Sequence, residues 1–148
     1  VANRILVPIN ESTTSRALID FLAKLSICPE DASFTLIHVF RQPTSGEELM
    51  GKKFMAEQPI RFKAELEKAK DRLVEEGGFD PDRIDIQLLT DPYPSVTEGI
   101  IDCFKKGRYD MVVIGRKKMS KSEEFVRGDI SIKLVRALDH TSVLVVTA

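Results

Sequence analysis

Five short apolar runs alternate with stretches of helical periodicity, and that alternation leaves few folds open to this chain. The runs are Asn3 to Ile9, Ser33 to Phe40, Arg83 to Leu89, Tyr109 to Ile114 and Ser142 to Thr147, each of strand length. Between them, Leu18, Phe21, Leu22 and Leu25 form one helical stripe, and Phe62, Leu66, Ala69 and Leu73 a second. Val96, Ile100, Cys103 and Phe104 form a third, and Ile130, Leu134 and Leu138 a fourth. All four follow the spacing that puts apolar side chains on one helix face. Strand, helix, strand repeated in this way predicts an α/β fold, a parallel sheet with right-handed crossovers and helices on both faces.

The strands differ in a way that orders them. ILVPI and MVVI are apolar on both faces, as central strands are, whereas RIDIQL alternates Arg83, Asp85 and Gln87 with Ile84, Ile86 and Leu88, as an edge strand can. Pro59 and Pro94 suit the first turns of helices, Gly77-Gly78 the end of the second helix and Gly107 the end of the third. One connection is long: Arg41 to Gln58 contains Pro43, Gly46 and Gly51 together with Leu49, Met50, Phe54 and Met55. So many large apolar groups predict a segment packed over the sheet edge, with a lid or partner surface as the alternative.

A chain of 148 residues without a Gly/Ser/Pro-rich linker predicts a single domain. With 22 Lys plus Arg against 23 Asp plus Glu, the net charge of −1 gives no global field toward nucleic acid or an anionic membrane. No apolar run approaches spanning length, so a soluble intracellular protein is expected. Cys28 and Cys103, read in two different helices, form no C-x-x-C pair and are expected to be structural thiols. His38 and His140 give no metal-ligand spacing, which argues against a metal enzyme. The hydroxyl cluster Ser12, Thr13, Thr14 and Ser15 suits capping of the first helix better than nucleophilic catalysis, since neither histidine is placed by sequence to act as base.

The chemistry concentrates in YDMVVIGRKKMSKSEEFVRGD, from Tyr109 to Asp129, where an apolar strand stops at Gly115 and a cation-rich loop leads to Gly128 at a helix start. Glycines let backbone N–H groups approach a phosphate, and a helix N-terminus favours negative charge. Here an acidic residue, Asp129, stands at that helix mouth. The loop cations Arg116, Lys117, Lys118, Lys121 and Arg127 are offset in part by Glu123 and Glu124, so a solvated loop competes with an anion site.

From RILVPINES through SFTLIHV and YDMVVIG to the terminal SVLVV, the chain resembles the universal stress protein family over nearly its whole length. The resemblance implies a five-stranded parallel sheet in the order 3-2-1-4-5, usually dimeric, in a cytoplasmic stress-response protein. It puts the ligand crevice at the carboxyl ends of the first and fourth strands, beside Asn10 and Gly115. The nucleotide-binding branch places an Asp at the end of the first strand and a G-x-x-G-x9-G-S/T pattern after the fourth. This chain keeps Gly115 and Gly128 but has Asn10 at the aspartate, Lys118 at the middle glycine and Asp129 at the hydroxyl residue.

Asn10 can still accept from an adenine amino group, and the backbone of Val39, matching the second adenine contact, needs no particular side chain. Lys118 resists positive φ yet offers a charge. Asp129 cannot donate to a phosphate and repels it, a combined cost of about 2 to 5 kcal/mol. As an N-cap it can instead accept from the N–H of Ser131 or Ile132, a built-in substitute for phosphate. Two readings result. One is a non-enzymatic dimer acting on an unidentified protein partner, with a degenerate crevice and no cofactor. The other is a switch or slow ATPase binding ATP or another adenine nucleotide through Asn10, Val39, Gly115, Lys118, Gly128 and Ser131. NESTTS lacks the glycines of adenylating enzymes of similar architecture, which disfavours an AMP-forming ligase. The last strand, with Val143, Leu144, Val145 and Val146 apolar on both faces, is expected to pair antiparallel with its copy in a second subunit.

Overall fold

The sheet has five parallel strands in the order β3-β2-β1-β4-β5, where β1 is Asn3–Pro8, β2 Ala32–Arg41, β3 Ile84–Tyr93, β4 Met111–Arg116 and β5 Ser142–Thr147. This computed structural model describes residues 3–10, 13–41 and 45–148, with the side chains of all of these except residues 13, 41, 48, 126 and 127. Pro43, Ser12 and the side chain of Thr13 therefore lie outside the described residues. The helices are α1 (Thr13–Lys24), α2 (Ser45–Leu49), α3 (Lys52–Glu75), α4 (Val96–Gly107), α5 (Lys121–Arg127) and α6 (Ile130–Ala137). Among the described residues no helix is long and apolar enough to cross a membrane.

Two cores sandwich the sheet because strand side chains alternate between faces. On one face Ile5, Val7, Phe34 and Leu36 meet Leu18, Ile19 and Leu22 of α1 and Leu66, Ala69 and Leu73 of α3. On the other, Leu6, Ile37, Val39, Val112 and Ile114 meet Ile100 and Phe104 of α4 and Leu134 and Leu138 at the end of α6. Leu6, Leu18, Leu22, Leu36, Leu66, Leu73 and Leu134 are almost fully buried. Each such side chain contributes about 1.5 to 3 kcal/mol relative to an exposed one, which fixes the register of helix on sheet.

Several local expectations fail, each for a physical reason. Phe21, placed in the first stripe, is 39% exposed, and Ile19 and Ala23 complete that face instead. Ile130, in the fourth stripe, is 41% exposed. Pro59 is inside α3, not in its first turn. A proline removes one backbone donor, but the helix beyond it is anchored by Leu66, Ala69 and Leu73. Pro94 lies outside α4, whose N-cap is Ser95, its side chain accepting from the N–H of Glu98 at 3.2 Å. Cys28 is exposed and precedes the short 3-10 turn Pro29–Asp31 instead of lying in a helix.

The long connection is mostly helical, formed by α2 and the first two turns of α3. Phe54 and Met55 are half-buried there, whereas Leu49 and Met50 are 87% and 62% exposed.

Candidate functional site

β1 and β4 pair only at Ile5 with Met111 and Leu6 with Val112, although both strands run on past these residues. β1 meanwhile follows β2 as far as Pro8 opposite Ile37. The divergence of β1 from β4 opens a crevice at their carboxyl ends, where the strand order reverses. Asn10, Ser15, Val39, Ile100, Ile114 and Gly115 line it, and the cavity measures about 90 Å³. That is well below the roughly 300 Å³ at which ligand pockets usually begin, so it offers room for part of a nucleotide only.

Asn10 is tied to the start of α1. Its backbone N–H donates to Ser15 Oγ at 2.9 Å, and the Ser15 hydroxyl donates to Asn10 Oδ1 at 3.0 Å. This arrangement fixes the direction of the Asn10 carboxamide. Val39, 5% exposed, supplies apolar wall. His38 also lines the crevice, a placement the sequence reading missed. Its Nδ1–H donates to the Ile9 carbonyl at 2.8 Å, and its ring stacks on Phe62 with centroids 3.6 Å apart. Gly115 has a packing role: a Cβ there would lie 2.7 Å from the backbone oxygen of Thr14, so only glycine lets α1 approach β4 this closely.

The segment from Ser120 to Asp129 is built differently. Ser120 accepts from the Glu123 N–H at 3.2 Å and its hydroxyl faces Glu123 Oε1 at 3.4 Å, an N-cap that starts α5 inside what the sequence reading took for a loop. Gly128 ends α5 with φ +74° and donates its N–H to the Glu124 carbonyl at 2.8 Å. It lines a separate groove between α5 and α6 with Asp129, Ile132 and Lys133, not the crevice. Lys118 is exposed and lines neither cavity.

Asp129 caps α6 and is buried, 9% exposed. Its Oδ1 accepts from the Ser131 backbone N–H at 3.0 Å and from the Ser131 hydroxyl at 2.5 Å. Its Oδ2 lies 2.8 Å from Arg116, which also pairs with Glu124. The Ser131 hydroxyl above all, then its amide and the Arg116 guanidinium, hold the Asp129 carboxyl below its ordinary value against the opposing effect of desolvation. Arg116, grouped by sequence with the loop cations, is thus the last residue of β4 and the counterion of this carboxylate.

Of the six candidate residues, Asn10, Val39 and Gly115 therefore meet in one cavity, while Gly128 and Ser131 belong to the α5–α6 junction and Lys118 to the surface. At the start of α6 the Ser131 N–H and hydroxyl, two donors that a phosphate could use, are already taken by Asp129.

The profile of the universal stress protein family matches residues 2–147. The chain belongs to the universal stress protein family. Among solved structures, a universal stress protein in complex with cAMP is 16% identical, with a TM-score of 0.66 over 97% of this chain and 95% of its own. A universal stress protein from Lactobacillus plantarum is 14% identical with a TM-score of 0.68, covering 97% of each chain. A member from Burkholderia pseudomallei is 18% identical with a TM-score of 0.65, over 99% of this chain and 96% of its own. At these identities the likeness establishes the shared fold. No curated protein matches the chain at a significant level. Within this universal stress protein, the crevice beside Asn10 and the start of α6 are thus chemically unequal.

Proposed function

We propose that this universal stress protein is a single-domain, non-enzymatic homodimer of the cytoplasm that acts through contacts with a protein partner, its nucleotide crevice degenerate. One observation carries the reading. The buried Asp129 carboxylate takes up both Ser131 donors and the Arg116 guanidinium, so the start of α6 supplies its own anion. Arg116 serves two carboxylates, Glu124 and Asp129, and the cluster keeps a formal charge of −1. A phosphate placed directly against the Asp129 carboxylate meets like charge, while Lys121, Lys133 and Arg136 line the adjoining groove.

The dimer reading draws support from β5, an edge strand whose Val143, Leu144, Val145 and Val146 are only half-buried by the helices of one subunit. Antiparallel pairing of β5 with its copy about a two-fold axis would cover that edge. Light scattering is expected to give a dimer at micromolar concentration, and a monomer removes this part of the proposal.

The adenine end favours a second reading, a nucleotide-binding switch or slow ATPase. Asn10, Val39 and Gly115 still line one apolar-walled cavity, and a relative of the same fold has been solved with cAMP. Isothermal titration with ATP, with and without Mg²⁺ or Mn²⁺, separates the two. Micromolar binding defeats the first reading, and no heat at millimolar ATP defeats the second.

A further inference from the structure

The groove between α5 and α6 measures about 410 Å³. Lys121 and Phe125 stand four residues apart on α5, and Ile132 and Arg136 four apart on α6, so each helix brings one cation and one apolar side chain to it on one face. Phe125 is 91% exposed and Ile132 47%. Exposed apolar groups that meet in one concavity mark an interaction site, as isolated ones do not. The charges there do not cancel. Glu124 and Asp129 also line the groove, but both are paired with Arg116. Lys121, Lys133 and Arg136 are exposed and make no ion pair among the described residues. With Arg116, four cations face two carboxylates, a local excess of two positive charges in a chain whose net charge is −1. The Lys133 ammonium lies over Gly128, 3.0 Å from where a Cβ would stand, so the glycine leaves it room inside the groove.

We propose that this groove docks an acidic amphipathic segment of a partner protein. The segment seats an apolar side chain between Phe125 and Ile132 and sets its carboxylates against Lys121, Lys133 and Arg136. This rests on the reading of the protein as one that acts through protein contacts, and it names the chemistry of the partner. Charge selects the occupant. A second copy docked here about a two-fold axis would bring the three cations against their own copies, which repel. The net charge of −1 gives no wider field to hold a nucleic acid. Helices of seven and eight residues are short for lying in a lipid interface, whereas a concave face between two helices suits an inserted side chain. Apolar anchors inside a charged rim are the anatomy of a peptide groove.

The probe is a short synthetic helix of Glu and Leu, with Leu at alternating three- and four-residue spacing, titrated into the full chain and followed by amide nuclear magnetic resonance. Saturable shifts centred on α5 and α6 are expected. The same peptide with Lys in place of Glu, or with Ser in place of Leu, should bind about tenfold more weakly or worse. Phe125→Ala, at an exposed position, should weaken binding by about tenfold, the loss typical of a central anchor. Lys133→Glu with Arg136→Glu, both exposed, should abolish it. Absence of saturable shifts, equal binding of the Lys peptide, or unchanged affinity in Phe125→Ala would overturn the proposal. So would phosphatidylglycerol vesicles or a single-stranded oligonucleotide shifting the same amides at lower concentration than the peptide. A silent peptide together with a Phe125→Ala variant that loses dimerisation would assign the groove to a second copy and likewise overturn it. A silent peptide beside a silent ATP titration removes this groove alone, whereas micromolar ATP binding removes the reading on which it rests.

Discussion

Replacing Asp129 by Ser together with Lys118 by Gly restores two of the three residues in which this chain departs from the nucleotide-binding branch, Asn10 remaining, and the structure sets the size of the response. In the present protein a terminal phosphate at about 4 Å from the Asp129 carboxylate is repelled by about 1 kcal/mol in water and about 4 at an effective dielectric of about 20. A serine hydroxyl adds a charge-assisted hydrogen bond of roughly 1.5 to 3 kcal/mol. Arg116, 2.8 Å from Asp129, offsets part of the repulsion and trims the upper end of the sum. The net gain is about 2 to 5 kcal/mol, or about thirtyfold to several thousandfold in affinity. Folding should survive the change. Ser caps a helix about as well as Asp, and Arg116 keeps its contact with Glu124, so the loss is about 1 to 3 kcal/mol. Calorimetric titration of both proteins with Mg-ATP reads the result. A folded double variant that binds ATP no better than the parent would refute the electrostatic reasoning.

The same carboxylate governs acid stability. Because its folded value lies below the ordinary one, it stabilises the protein above an unfolded pKa of about 3.9, and that contribution is lost as pH falls through the folded value. Thermal melts of Asp129→Asn should therefore show a shallower decline below about pH 4 than those of the parent. Gly115→Ala puts a methyl 2.7 Å from the Thr14 backbone oxygen and should cost about 1 to 3 kcal/mol in denaturant unfolding, even without ligand. A chromogenic disulfide reagent should modify Cys28 first, because it is exposed. Burial and the neighbouring Asp102 push the half-buried Cys103 thiol up, leaving less of the reactive thiolate, so equal rates at the two would contradict the structure.

The five strands, the central place of β1 and β4 and the edge place of β3 were legible because β1 and β4 are apolar on both faces and β3 alternates, patterns set by burial on a pleated sheet, whereas the full order came from the family resemblance. The Asp129 cap was legible for the same local reason, an acid directly before an apolar helical stripe. Its ion pair with Arg116 was not, since only the fold brings the end of β4 against the start of α6. The helix α5 was signalled by S-x-x-E at Ser120 and Glu123, which the density of lysines concealed. Pro59 misplaced the start of α3 because proline is more frequent in first turns than inside helices, and tertiary anchoring overrode that preference. That Gly128 lines a groove other than the one lined by Asn10 and Val39, while Ile130 lines the latter, could not be read from motif spacing, which gives order along the chain and not position in space.

The difference in affinity between ATP and adenosine for the unmodified protein tests the central claim most directly. With the start of α6 already supplied by Asp129, the phosphates contribute nothing favourable, and calorimetry should find ATP binding no more tightly than adenosine. ATP binding tighter by about tenfold or more, equivalent to about 1.4 kcal/mol from the phosphates, would contradict it.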